Sequence, residues 1–407
     1  MNKRSKKEKS LGILINFHEL NNLLISWDII LKQLDKNFKK VYLINSQNLE
    51  IFPIKEKKVI NKKLIKKLNL KNLYFEDIKN RHHFENFVKD KELYLINSNS
   101  KNLNLIRVYF LIKKFKIKQF QITNVGNEQY SNVLSNKFIF KKILFIFKKK
   151  INPFIVTLLS LVGIISKIEI RFTSIKTWID GINRNPIKKF LHNKGFFYAK
   201  KLILVNSMAY DRMVFDKEKT SEKYIVHIDA SLNYYHKTDV RGVLDKKSYE
   251  NHYKYLNIFL KNISKLYNKK IIVCIHPSYN LNEHKKMLAS FKVVKFKTRD
   301  YIKKAFLVTF FDSTVILDAL IQQKRVVGII SEYTSQNDVL RQTAWSKNIG
   351  CTIERLNKNY KFNKKKYIYL KKNNKKKYQI YLKNYLQRET EPGINKIIKY
   401  LKKNYIK

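Results

Sequence analysis

Short apolar runs alternate with longer amphipathic ones along nearly the whole chain, and this rhythm narrows the available folds more than any other feature. In the first half "LGILINF", "KKVYLINS", "KELYLINS" and "IKQFQITN" read as strands that end on or near Asn, Ser or Thr. Between them lie stretches such as "NNLLISWDIILKQLDKNF", with apolar residues at helical spacing. The second half repeats the pattern: strand "KYIVHIDA", helix "YENHYKYLNIFLKNISKLY", strand "KKIIVCI", a helix near "NEHKKMLASF", strand "KVVKF", helix "TRDYIKKA", strand "FLVTFF", helix "STVILDALIQQK", strand "RVVGII". Alternation at this pace predicts doubly wound parallel sheets in an α/β fold. A chain of 407 residues suits two such domains, each with its own core.

The charged stretch "VFDKEKTSEKYIV" places the boundary near Asp216 to Glu222. The expected layout is a basic segment at 1–10, a first Rossmann-like domain over 11–215, a second over 222–360, and a lysine-rich helical tail over 361–407. Within that tail, "KKYQIYLKNYLQRE" reads as helix and the rest as weakly ordered. No internal repeat is visible beyond the alternation itself.

The formal net charge is +54. That value invites a nucleic-acid or anionic-membrane partner. Yet Lys far outnumbers Arg, Asn, Ile, Tyr and Phe are abundant, and Gly and Pro are scarce. AT-rich codon usage produces this composition and spreads Lys over every surface. A reader of base edges favours Arg, whose planar fork bonds in pairs. The charge therefore names no partner by itself, and the absence of any nucleic-acid-binding motif argues against that class. The only cysteines are Cys274 and Cys351, with no CxxC and no zinc spacing. A reducing cytoplasm is the expected compartment. The basic start, "MNKRSKKEKS", precedes too short an apolar run for a signal peptide and reads as the approach to a strand.

One segment, Phe138 to Ile170, combines lysines and aromatics with a nearly unbroken apolar run, "INPFIVTLLSLVGII". Asn152 and Pro153 are suited to a helix start. The run is shorter than the roughly 20 residues a bilayer span requires. It admits a buried core helix, a helix at a membrane interface, or a span, and whether residues 151–166 touch lipid stays open at this point.

In a parallel sheet, ligands bind at the carboxyl ends of the strands. His276-Pro277 follows "IIVCI" directly, and Asp312-Ser313-Thr314 lies between "FLVTFF" and "VILDALIQQK". Hydroxyl residues at a helix start suit a phosphate, though Ser and Thr there also serve as plain caps. A His nearby can donate to a phosphate or a sugar hydroxyl, with the proline stiffening its turn.

The stretch from Tyr224 to Ile330, with "IIVCIHPSYN" and "FFDSTVILDALIQQKRVVGII", resembles the carboxy-terminal half of GT-B glycosyltransferases of bacterial surface polysaccharide synthesis, of the polysialyltransferase-like and Kdo-transferase-like kinds. The resemblance implies two Rossmann-like domains facing a cleft, with His276 and Pro277 as the HP motif and Ser313 and Thr314 as the Ser-Ser/Thr motif, together holding the nucleotide. Asp312, an acid just before the hydroxyl pair, departs from that pattern. The implied reaction is inverting transfer from a CMP-activated acidic sugar to a glycan or lipid-linked glycan, on the inner face of the cytoplasmic membrane. The catalytic candidates are His276 and Asp180, the latter as general base in "WIDGI", where an ordinary Asp-Gly turn is the competing reading. Asp229, Tyr235 and His236 in "IVHIDASLNYYHKTD" are candidate cleft contacts. No DxD occurs, so neither metal nor cofactor is expected. Two alternatives remain: the same fold using a UDP-sugar or CDP-glycerol, and a basic nucleic-acid-binding protein.

Overall fold

Buried parallel strands read as continuous apolar runs because helices cover both faces. "EKSLGILI" and "KIIVCI" are two such runs, and each has a strand on both sides in its own sheet. The structure is a computed structural model and describes residues 8–15, 27–51, 69–97, 103–122, 155–156, 158–160, 162–174, 186, 199–215, 221–229, 246–276, 280–311, 313, 315–334, 336–368, 370, 375–386 and 391–406. The chain forms two compact units. The first comprises Met1–Val125, Phe140–Arg212 and Asn384–Lys407, and the second is chiefly Met213–Lys383.

The first unit holds β1 (Glu8–Ile15), β2 (Val41–Asn45), β3 (Leu73–Asp77), β4 (Lys91–Asn97), β5 (Lys118–Ile122), β6 (Ile168–Thr173) and β7 (Lys201–Leu204). They form one sheet in the order β3-β2-β1-β4-β5-β6-β7, and every pairing is parallel. Helices α1 (Asp28–Asn37), α2 (Arg81–Lys89) and α3 (Ile106–Lys114) belong to this unit, and α4 (Met208–Phe215) begins in it and ends in the second. β1 begins inside the segment expected to be a basic extension, since Glu8 pairs with Lys91.

The second unit repeats the plan with β8 (Tyr224–Ile228), β9 (Lys270–Ile275), β10 (Lys292–Lys295), β11 (Ala305–Phe310), β12 (Arg325–Ser331) and β13 (Thr352–Leu356). Its order is β10-β9-β8-β11-β12-β13, again with parallel pairing throughout. The helices are α5 (Lys246–Tyr267), α6 (Leu281–Met287), α7 (Thr298–Lys303), α8 (Ile316–Ile321), α9 (Gln336–Ile349), α10 (Lys364–Ile368) and α11 (Lys375–Tyr381). α5 buries Tyr249, Tyr253, Leu256, Leu260 and Ile263, a stripe at helical period. That stripe joins Val273, Leu307 and Val327 of the sheet in one core. Gly328 lets α9 lie close on β12, because a Cβ there would fall 2.1 Å from Ser346 Oγ.

The tail departs from expectation. Residues 393–404, read as weakly ordered, form a helix, α12 (Gly393–Asn404), that buries Ile394, Ile397, Ile398 and Leu401. It belongs to the first unit, although the long stretch Met213–Lys383 before it belongs to the second. Asp211 of α4 holds it there, its two carboxylate oxygens accepting from the N–H groups of Gly393 and Ile394 at 2.7 Å each. Gly393 permits the approach, since a Cβ would lie 2.5 Å from the carbonyl oxygen of Asn206.

Candidate functional site

In an open parallel sheet the ligand crevice lies where the strand order reverses. In the second unit this is the junction of β8 and β11. Along the carboxyl edge the sequence of strands brings Lys295 at the end of β10, His276 just past β9, Asp229 just past β8 and Ser313 beyond β11. Neighbouring strands are about 4.8 Å apart, so the strand ends leading to His276 and Ser313 lie about 10 Å apart, with only β8 between them. That span suits the phosphate and sugar of one nucleotide.

His276 is half-buried. Burial first, and then the Lys295 ammonium, hold its imidazole below the ordinary histidine range, so it is neutral at neutral pH. A neutral imidazole donates through one nitrogen and accepts through the other. Lys295 is itself held below the usual lysine range by burial. Ser313 is partly exposed. α8 begins only at Ile316, behind Val315, so the expected helix start at Ser313 is replaced by a short turn. In that turn the Ser313 carbonyl accepts from the Ile316 N–H at 3.2 Å. Among the described residues nothing bonds the Ser313 hydroxyl, and the six-residue α8 contributes little dipole.

Beneath this edge lies a buried polar cluster. His227 and Asp229, two apart on an extended chain, point to the same side. His227 Nδ1 lies 2.9 Å from Thr309 Oγ1, a link across the β8–β11 junction. Asp229 is 2% exposed, and its Oδ2 accepts from the Tyr253 hydroxyl at 2.7 Å. That hydroxyl lies 3.2 Å from His284 Nε2. His284 Nδ1 lies 3.0 Å from the Asn280 carbonyl. A carbonyl only accepts, so the proton of neutral His284 resides on Nδ1, leaving Nε2 as an acceptor. The Tyr253 hydroxyl can therefore turn toward Asp229 or toward His284, depending on which carries the proton.

This cluster grips both ends of the loop that bears His276. Asp229 N–H donates to the Cys274 carbonyl at 3.0 Å on one side, and His284 holds the Asn280 carbonyl on the other. Asn280 also caps α6 through Asn282 and Glu283. Burial lifts the Asp229 carboxyl to about 7 against the opposing Tyr253 hydrogen bond. Burial lowers His227 and His252 to about 3 each, with His252 adding repulsion at His227. Asp229 Oδ1, His227 Nε2 and both nitrogens of His252 have no hydrogen-bond partner among the described residues.

Asp229 thus sits under the surface, bonded to Tyr253. Pro277, Thr314, Asp180, Tyr235 and His236 lie outside the described residues. The sequence reading missed His227, His252, Tyr253, His284 and Lys295. Only the His-x-Asp spacing at the end of a strand could have pointed to His227; the others come from helices and a strand whose meeting depends on tertiary packing. Among the described residues no group of three or more His, Cys, Asp or Glu side chains is arranged to hold a metal. Cys274 is buried and Cys351 half-buried; burial raises both thiols, Cys274 to about 12 and Cys351 to about 11, so neither is a ready nucleophile.

Two doubly wound parallel sheets in one chain define a GT-B-like α/β fold, and solved structures share it. A protein of Listeria monocytogenes assigned as UDP-N-acetylglucosamine 2-epimerase matches over 98% of this chain and 97% of its own, with a TM-score of 0.55 and 9% identity. MnaA of S. aureus, solved with UDP, matches over 98% and 97%, with a TM-score of 0.52 and 11% identity. The wall teichoic acid polymerase TagF matches over 97% of this chain and 89% of its own, at 0.52 and 10%. No family model matches the chain, and no curated protein does.

Proposed function

We propose that this protein is a glycosyltransferase of bacterial surface polysaccharide synthesis, moving an acidic sugar from a CMP-activated donor to a glycan acceptor with inversion and without a metal. The observation that carries the reading is the placement of His276 and Ser313. They come from the two stretches that resemble the HP and Ser-Ser/Thr motifs, and both lie at the carboxyl edge of the second sheet, on either side of β8. Departure of CMP builds negative charge on a phosphate oxygen, and donors aimed there in advance stabilise it. Neutral His276 supplies one hydrogen bond, the Ser313 hydroxyl another, and Lys295 a nearby positive charge. Pro277 and Thr314 complete this pocket, Asp180 takes the proton from the acceptor hydroxyl, and Tyr235 and His236 contact donor or acceptor. The buried Asp229–Tyr253–His284 chain positions the His276 loop. The acceptor is a glycan, free or lipid-linked, and the protein works at the cytoplasmic membrane face.

A second reading keeps the fold and changes the chemistry. Similar structures include UDP-N-acetylglucosamine 2-epimerases, a UDP complex and a teichoic acid polymerase. These favour testing a UDP-sugar and CDP-glycerol alongside.

The test is to incubate the protein with labelled CMP-sialic acid or CMP-Kdo, UDP-GlcNAc or CDP-glycerol, in the presence of a chelator, with a membrane glycan fraction as acceptor. The expected result is CMP release with label passed to glycan, reduced about 10²-fold or more in His276→Ala. Conversion of UDP-GlcNAc to its 2-epimer, with no transfer, would establish the second reading instead. Transfer from UDP-sugar or CDP-glycerol alone would replace the donor.

A further inference from the structure

The apolar segment that follows the lysine-rich stretch is only half absorbed by the core. Val156 and Ile165 are buried together with Val108 and Ile112 of α3 in one cluster. Between them Leu158, Val162 and Ile164 stand 46%, 63% and 46% exposed, and Phe110 on the outward face of α3 is 50% exposed. Isolated apolar residues on a surface are ordinary, so their grouping is the relevant point. Phe110 and Lys113 lie three apart on α3 and so share a face. Lys113 Nζ would be 4.0 Å from a Cβ at Gly163, which joins that face to the 158–164 turn.

The turn is well defined. The Ile164 N–H donates to the Leu159 carbonyl at 2.8 Å and the Gly163 N–H to the Ser160 carbonyl at 3.3 Å. Gly163 has φ +76. Paired bonds of this kind around a left-handed glycine form a Schellman ending, which stops a helix in a fixed geometry. Val162 and Ile164 flank that glycine and are presented outward by a tied turn.

The two stretches that build this face carry charge of one sign. The stretch 106–118, "IRVYFLIKKFKIK", and the stretch 151–168, "INPFIVTLLSLVGIISKI", contain no acidic residue. Arg107, Lys113 and Lys116 are exposed there, while Lys114 is engaged by Glu85 at 2.9 Å. Among the described residues no helix is long and apolar enough to cross a membrane. An exposed apolar turn with exposed cations on the adjoining α3 stretch suits the boundary between headgroups and acyl chains, where apolar side chains enter and cations meet lipid phosphates.

We propose that Phe110, Leu158, Val162 and Ile164 form a docking face for an anionic lipid bilayer, with Arg107, Lys113 and Lys116 contacting the headgroups. The inference deepens the reading of a transferase with a lipid-linked acceptor and rests on it for its purpose. Its test uses neither nucleotide nor sugar, so either can fail alone.

The full chain is sedimented with vesicles of phosphatidylglycerol and phosphatidylcholine, and with vesicles of phosphatidylcholine alone, at low and high salt. Binding should favour the anionic vesicles and weaken with salt. Val162→Ser with Ile164→Ser should cut that partition about tenfold with no change in thermal unfolding, since both positions are exposed. Val162→Trp should raise it, with a blue shift of Trp emission on vesicles. Three results would overturn the proposal: no vesicle binding, a serine variant that binds as well as the parent chain, or a dimer that the serine variant dissociates. The last would assign the face to a second copy of the chain.

Discussion

Burial raises Asp229 to about 7 and depresses His227 and His252 to about 3, so the cluster bends the pH dependence of stability in two senses. The carboxyl is protonated in the folded chain and ionised in the unfolded one between about pH 4 and 7, and there stability falls as pH rises. The histidines are neutral in the folded chain and charged in the unfolded one between about pH 3 and 6.5, and there stability falls as pH drops. Asp229→Asn removes only the first effect. Measured by denaturant unfolding, the variant should gain about 2 kcal/mol on the parent between about pH 5 and pH 8. An unchanged difference across that range would show that Asp229 is ionised in the fold. At this scale the sequence exposed what lies at a strand end, such as His276 and Asp229. It concealed His252, Tyr253 and His284, because α5 and α6 carry them to the cluster from positions with no local signature.

At the scale of elements, strands were the most legible part, because a buried parallel strand is a continuous apolar run and needs no partner to be recognised. β3, β6, β7 and β13 were missed: charged residues break the run in "LYFED", "IEIRFT" and "TIERL", and "KLIL" is too short to stand out. α12 was missed for a different reason. Its lysines hide a stripe of Ile394, Ile397, Ile398 and Leu401, and its N-terminal cap comes from Asp211, distant in sequence. Burial raises Asp211 to about 6, opposed by the two N–H bonds it accepts. Asp211→Ala should therefore destabilise the protein by about 2 kcal/mol, the range of a lost cap with two buried N–H groups left unmet. Hydrogen exchange of the amides in residues 393–404 should rise ahead of the rest of the first unit. Exchange that matches the parent chain would mean that the apolar stripe alone holds α12.

For the whole molecule, alternation forecast two doubly wound sheets, and both are present with the strand order reversing beside the first strand of each. What alternation could not convey is that the chain returns to its first unit at the end, since that depends on contacts made across most of its length. The +54 charge did not decide a function. It acquires meaning only where exposed apolar side chains accompany it, as at 158–164. The central claim is that the edge carrying His276 and Ser313 receives a nucleotide, and thermal unfolding with CMP, CDP, UDP, GDP and ADP, with and without Mg²⁺, tests it most directly. A ligand present at a hundred times its dissociation constant adds about 2.7 kcal/mol to the folded state. The expected result is stabilisation by CMP without metal, much reduced in His276→Ala. Stabilisation by no nucleotide, or by short DNA alone, would contradict it.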